Sequence, residues 1–134
     1  MSMMNIFNVA GSAVSAQSQR LNVVASNLAN VDTVAGPDGK AYKARQVTFQ
    51  TTLLGANHAT GTVDTAAGVR VSTVSEDQSP GRRVHDPKHP SADGNSVDLD
   101  RERAAFADNA VRYEATLRFI NGNVRTLMSA ITGQ

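Results

Sequence analysis

Cysteine and tryptophan are both missing from the 134 residues, so neither a disulfide framework nor a thiolate metal site is available to hold the chain together. An excess of one charge is missing too: 13 lysines and arginines stand against 12 aspartates and glutamates, a net charge of +1. That balance excludes binding to nucleic acid or to a membrane driven by charge alone. No stretch approaches the roughly 20 apolar residues of a membrane span. The N-terminus, MSMMNIFNVAGSAVSAQSQR, carries neither a basic leader nor an apolar run of signal-peptide length, so any export is expected to proceed without a cleaved signal. The length and the 40% hydrophobic content suit one domain and do not force a second.

What is present is periodicity at the two ends. Met3, Phe7, Ala10, Val14, Gln17, Leu21, Val24, Leu28 and Val31 follow one another at alternating steps of four and three, a heptad seam interrupted only by Gln17. Phe106, Ala110, Tyr113, Leu117, Ile120, Val124, Leu127 and Ile131 repeat the alternation without a break. Asp98 is the expected N-cap of the second helix, and Asp100 and Glu102 place negative charge in its first turn, where the helix dipole favours it. The expectation is a mainly α fold with a small β-rich middle. Residues 1–32 and 98–134 form long helices paired as a coiled coil, and residues 33–97 form a separate central region of short strands, turns and extended chain.

The middle holds all four prolines and most of the ten glycines, which break helices and mark turns. YKARQVTFQTTL (42–53) and GVRVSTVSE (68–76) have strand-like alternation, and GPDGK (36–40) reads as a β-turn rather than a phosphate loop. GANHATGTVDTAA (55–67) reads as a surface loop, and the stretch from Asp77 to Asn95 as extended chain and turns.

A helix over 99–132 would run about 50 Å, whereas a compact domain of this size has a radius of gyration of about 14 Å. Seams of that length need cover from each other or from neighbouring chains, since each large apolar side chain gains roughly 1.5–3 kcal/mol on burial. Length and pattern together describe a subunit that assembles.

Candidate chemistry is thin. HDPKH (85–89) sets two histidines four apart beside Asp86, but Pro87 and Pro90 exclude the helix on which that spacing would converge. DRERAAFADN (100–109) clusters charges as a solvated first turn does. Ser12, Ser15, Ser18 and Ser26 have no histidine on their helix faces, so no nucleophile is paired with a base. No enzyme activity, metal or cofactor is expected.

The remaining oddity is LNVVASNLANVD (21–32), with Asn22, Asn27 and Asn30 inside an apolar helix. Asn30 either ends the helix from a left-handed conformation or joins the other two in bonding amides to adjacent helices, fixing a register that apolar packing alone would let slide. The candidate assembly interface is therefore Phe7, Val14, Leu21, Val24, Asn27, Leu28, Asn30 and Val31 from the first helix, with Phe106, Tyr113, Leu117, Ile120, Val124, Leu127 and Ile131 from the last. Leu21, Val24 and Leu28 are expected opposite Leu117, Ile120 and Val124.

RLNVVASNLANVDTVAGPDGKAYKARQVTFQ (20–50) closely resembles the N-terminal signature of bacterial flagellar rod and hook proteins, and the GPDG insertion before Tyr42 resembles the proximal-rod group. The resemblance covers residues 1–93, while residues 94–134 are similar to the end of a neighbouring branch of proximal-rod proteins. It implies a structural subunit of the basal-body rod whose terminal helices co-assemble helically and transmit torque. Implied partners are other rod proteins, copies of the chain itself and the flagellar type III export apparatus; neither nucleic acid nor direct lipid binding is implied. The competing reading is a soluble export-linked adaptor or chaperone-like binding module that uses the same seams to hold one partner.

Overall fold

The structure, a computed structural model, describes residues 3–54, 66–76 and 94–133. Four elements follow in order: α1 (Met3–Ala29), β1 (Arg45–Leu54), β2 (Ala66–Glu76) and α2 (Leu99–Thr132). The architecture is the expected one of two long terminal helices around a small antiparallel sheet.

Local chemistry sets the ends of these elements. Asp98 caps α2 as expected, its carboxylate accepting from the backbone N–H of Asp100 and Arg101 at 3.0 and 3.2 Å. At the far end Gly133 adopts a left-handed φ of 72° and its N–H donates to the Ser129 carbonyl, a conformation that costs glycine nothing. Helix α1 stops just before Asn30, yet among the described residues only glycines have positive φ. Asn30 thus terminates the helix without the left-handed geometry: its amide donates back to the Ser26 carbonyl at 2.8 Å, and its side-chain oxygen accepts from Thr33 Oγ1. The GPDGK turn closes through Gly39 N–H to the Gly36 carbonyl at 2.9 Å.

Strands β1 and β2 pair from Arg45↔Glu76 to Leu54↔Ala66. Thr48 faces Thr73 and Phe49 faces Val71, so Ser72 is an extra residue that bulges β2. Of the loop expected over 55–67, Ala66 and Ala67 instead open β2. Residues 55–65 lie outside the described residues, as do 77–93 with their HDPKH motif.

The helices run antiparallel. Asn109 of α2 donates to the Gln17 carbonyl of α1 at 3.0 Å. Val24 shares a cleft with Glu102 and Ala105, and Ala13 shares a groove with Ala115 and Thr116. This register overturns the expected pairing of triads. Leu117 lies toward Ala10 and Ala13, about three turns from Leu21, while Val24 lies against the first turns of α2. Two helices joined by a chain that turns back must match the end of one with the start of the other, which the parallel numbering of the two seams concealed.

A short polar joint holds the turn-around. Ser96 donates its N–H to the Tyr42 carbonyl and accepts from Ala44 N–H at 2.8 Å. The Asn95 amide spans the carbonyls of Asn30, Val31 and Thr33 at 2.8–3.1 Å. The exit of α1 and the entrance of α2 are therefore tied directly to each other. The apolar core is slight, with Ala10, Ala16, Val24, Ala44 and Val97 buried.

Candidate assembly interface

Helix α1 is covered on two sides. Ala10, Gln17 and Val24 form the line that meets α2. A second line lies under the hairpin: Ser12 Oγ accepts from Val69 N–H at 2.9 Å, and the Arg20 guanidinium stacks 4.2 Å above the Phe49 ring. Buried Ala16 is part of the same cover, sharing a cleft with Thr52 and Val69. Small residues at these positions let sheet and helix approach closely.

Asn27 belongs to the hairpin side, and its side chain is completely buried. Its amide donates to the Arg45 carbonyl and its oxygen accepts from Arg45 N–H, both at 2.9 Å, while the Tyr42 hydroxyl donates to the same oxygen at 3.1 Å. The expected bond to an adjacent helix is one of several: the side chain meets Glu102 of α2, while most of its bonding capacity goes to the start of β1. Asn22 is exposed.

Glu102 is corrected as well. It was expected in a solvated turn, but it is 9% exposed. Burial pushes its carboxyl above the ordinary 4.5; a hydrogen bond from the Asn27 side chain and the charge of Arg101 pull it back, and Asp98 adds a smaller upward push.

Helix α2 is covered far less. Of its 34 residues only Glu102 and Asn109 are buried, and its contact line continues through half-buried Tyr113, Thr116, Ile120, Asn123 and Leu127. At about 100° per residue, Phe106, Ala110, Leu117 and Val124 fall to one side of this line. Phe7, Val14 and Leu21 fall to one side of the corresponding line on α1, opposite the hairpin. In an antiparallel pair of right-handed helices these two sides open on the same flank. The result is an apolar face with Phe7, Val14 and Leu21 half-buried on one helix and Phe106, Leu117 and Val124 exposed by 43, 38 and 39% on the other.

The expected site residues therefore divide into groups. Phe7, Val14, Leu21, Phe106, Leu117 and Val124 share the open flank. Val24 is buried between the helices, and Leu28 and Val31 are half-buried toward the polar joint. Tyr113 and Ile120 turn toward α1, half-buried Leu127 continues their stripe past the start of α1, Ile131 lies 83% exposed near the end of α2, and Asn27 and Asn30 serve the fold of their own chain. Sequence reading missed Asn95, Ser96 and Asn109. The first two sit beside the N-cap and carried a signal, since a polar pair after Gly94 suits a capping turn; Asn109 carried none, because it falls beside the seam as exposed residues do.

These features suit a surface that is completed by other chains. A protein-family model described as "Flagella basal body rod protein" matches residues 7–37. The chain is similar to the flagellar basal-body rod protein FlgC of Salmonella typhimurium, 42% identical over 96% of this chain and 94% of that one. It is 40% identical to FlgC of Yersinia enterocolitica, over 98% of each chain. It also resembles the flagellar basal body rod protein FlgB of Proteus mirabilis, 33% identical over 95% of this chain and 93% of that one. Both branches noted in the sequence are thus among its relatives, and the adaptor reading finds no support in them.

Proposed function

The chain belongs to the flagella basal body rod protein family, and from that premise we propose that the open flank of its helix pair is where it joins neighbouring subunits of the rod. It is a structural subunit of the bacterial flagellar basal body and serves motility, with other basal-body components as its assembly partners. The observation that carries the assembly reading is the uncovered apolar flank, formed by Leu21 and Val14 on α1 and Leu117 and Val124 on α2. Completing the burial of each exposed side chain on α2 gains about 1 kcal/mol, since each is already more than half covered. Summed over many copies that suffices to order an assembly. In this reading residues 1–32 and 98–134 form the axial part, 33–97 stand outside it, torque passes through the packed helices, and the subunit reaches the rod through the flagellar export apparatus.

Leu117→Asp tests the interface. In the free chain the carboxylate reaches water from a position 38% exposed; against a neighbour it is enclosed, at a cost of several kcal/mol. The variant is expected to fold normally yet to be absent from isolated basal bodies, with motility lost. Motile cells whose basal bodies contain the Leu117→Asp subunit would remove the flank from the interface.

A further inference from the structure

A polar cleft lies on the flank of the helix pair away from the open apolar face, where the start of the hairpin crosses it. At about 100° per residue, Arg20 and Val23 of α1 and Arg101 and Asp108 of α2 fall on the opposite side of the contact lines from Leu21 and Phe106, and the first residues of β1 close the cleft. It encloses about 230 Å³. That is below the roughly 300–1,000 Å³ of small-molecule sites and suits one side chain entering from outside.

The charges of this cleft are unevenly engaged. The guanidiniums of Arg20, Arg45 and Arg101 line it, against the carboxylates of Glu102 and Asp108. Asp108 is held by Arg112 Nε at 2.7 Å, and Glu102 is buried against the Asn27 amide. Arg45 holds Glu76 at 3.2 Å. Among the described residues no carboxylate forms an ion pair with Arg20 or Arg101. Arg101 acts on Glu102 through its charge alone, and Arg20 stacks on Phe49, which leaves a guanidinium its N–H edge for a carboxylate. Val23, Val24 and Val47 add apolar wall.

A single carboxylate on an apolar stem matches both features, and glutamate has one more methylene than aspartate to lay against the valines. A dianion such as a phosphate group would be repelled more strongly by Glu102 and Asp108. The glutamates of this chain are Glu76, Glu102 and Glu114, and each is already engaged, with Arg45, Asn27 and Arg118 respectively. Resting on the rod reading above, we infer that the cleft between the hairpin and the helix pair receives a glutamate side chain from a different protein of the basal body, its carboxylate bound by Arg20 and Arg101. The two flanks then act differently. The apolar one gains from any neighbour that covers it, whereas the cleft discriminates, because a neighbour without a carboxylate at that point encloses the guanidiniums unpaired.

An amine placed at position 101 reports the contact. Basal bodies carrying the full-length Arg101→Lys chain are treated with a water-soluble carbodiimide, which activates carboxylates; the amine displaces the urea and forms an amide with the carboxylate it touches. Mass spectrometry of the digest is expected to find position 101 joined to a glutamate of a different protein. In cells that make both the parent and Arg101→Gln, the variant is expected to be about tenfold under-represented in basal bodies, the equivalent of about 1.4 kcal/mol, and Arg101→Lys, which keeps the charge, less so. Arg101 is exposed, so neither change unfolds the chain. If position 101 is joined only to Glu102 or Asp108 of its own chain, to a carboxylate of a second copy, or to nothing, or if Arg101→Gln enters basal bodies as readily as the parent, the cleft assignment falls and the rod reading stands. If the parent chain itself is absent from basal bodies, both fall.

Discussion

Asn27→Ala separates folding from assembly. The substitution removes an amide that bonds both backbone groups of Arg45 and the Tyr42 hydroxyl, all within 3.1 Å, and also the Glu102 carboxyl. Leaving a buried polar group without its partner costs about 1–3 kcal/mol. Because Arg45 is itself an exposed residue, water can recover part of that loss, which places the two backbone groups together near 3 kcal/mol. Alanine returns up to about 0.6 kcal/mol through its better helix propensity. The net loss is then about 2–3 kcal/mol, which for a chain of this size lowers the melting temperature by roughly 10 °C. Thermal unfolding followed by circular dichroism at 222 nm, ~1 µM chain to keep it unassembled, measures it; Asn22→Ala, at an exposed position, is expected to stay within about 0.5 kcal/mol of the parent. A melting temperature for Asn27→Ala indistinguishable from the parent, with assembly nevertheless impaired, would refute the reasoning and return Asn27 to a role between subunits.

The Glu102 carboxyl, held above its ordinary 4.5 by burial, binds its proton more tightly folded than unfolded. Its contribution to stability is fully present below the unfolded value and is lost as pH rises through the folded one. Relative to Glu102→Gln, the parent is therefore expected to lose stability across that interval and to run parallel above it; urea titrations at a series of pH values read the difference. Asp98→Ala removes the cap of α2 and is expected to cost about 1 kcal/mol, visible as a lower urea midpoint. Asn109 is as buried as Asn27, but its side-chain oxygen has no partner among the described residues. Asn109→Leu, similar in shape, is therefore expected to cost less than about 1 kcal/mol, and a loss as large as that of Asn27→Ala in the same titration would contradict this account.

The sequence by itself determined the elements: two heptad-patterned ends, a middle with all the prolines, the Asp98 cap and the turn at Pro37-Asp38-Gly39. Each of these rests on periodicity or on backbone preference within a few residues, and such information is local. It also determined the family, because the stretch from Arg20 to Gln50 carries a specific pattern. Tertiary structure alone decided which residues meet. A heptad seam identifies an apolar stripe but neither the direction of its partner nor its own rotation about the helix axis. Only the folded chain therefore showed Val24 beside Glu102, Leu117 turned outward, and Tyr113 turned inward. The polar residues were least legible, since an asparagine that ends a helix, one that clamps a strand and one that bridges two helices are the same residue in sequence. What distinguishes Asn27, Asn30, Asn95 and Asn109 is which backbone carbonyls and N–H groups lie within hydrogen-bond reach, and those are supplied by segments up to 92 positions away.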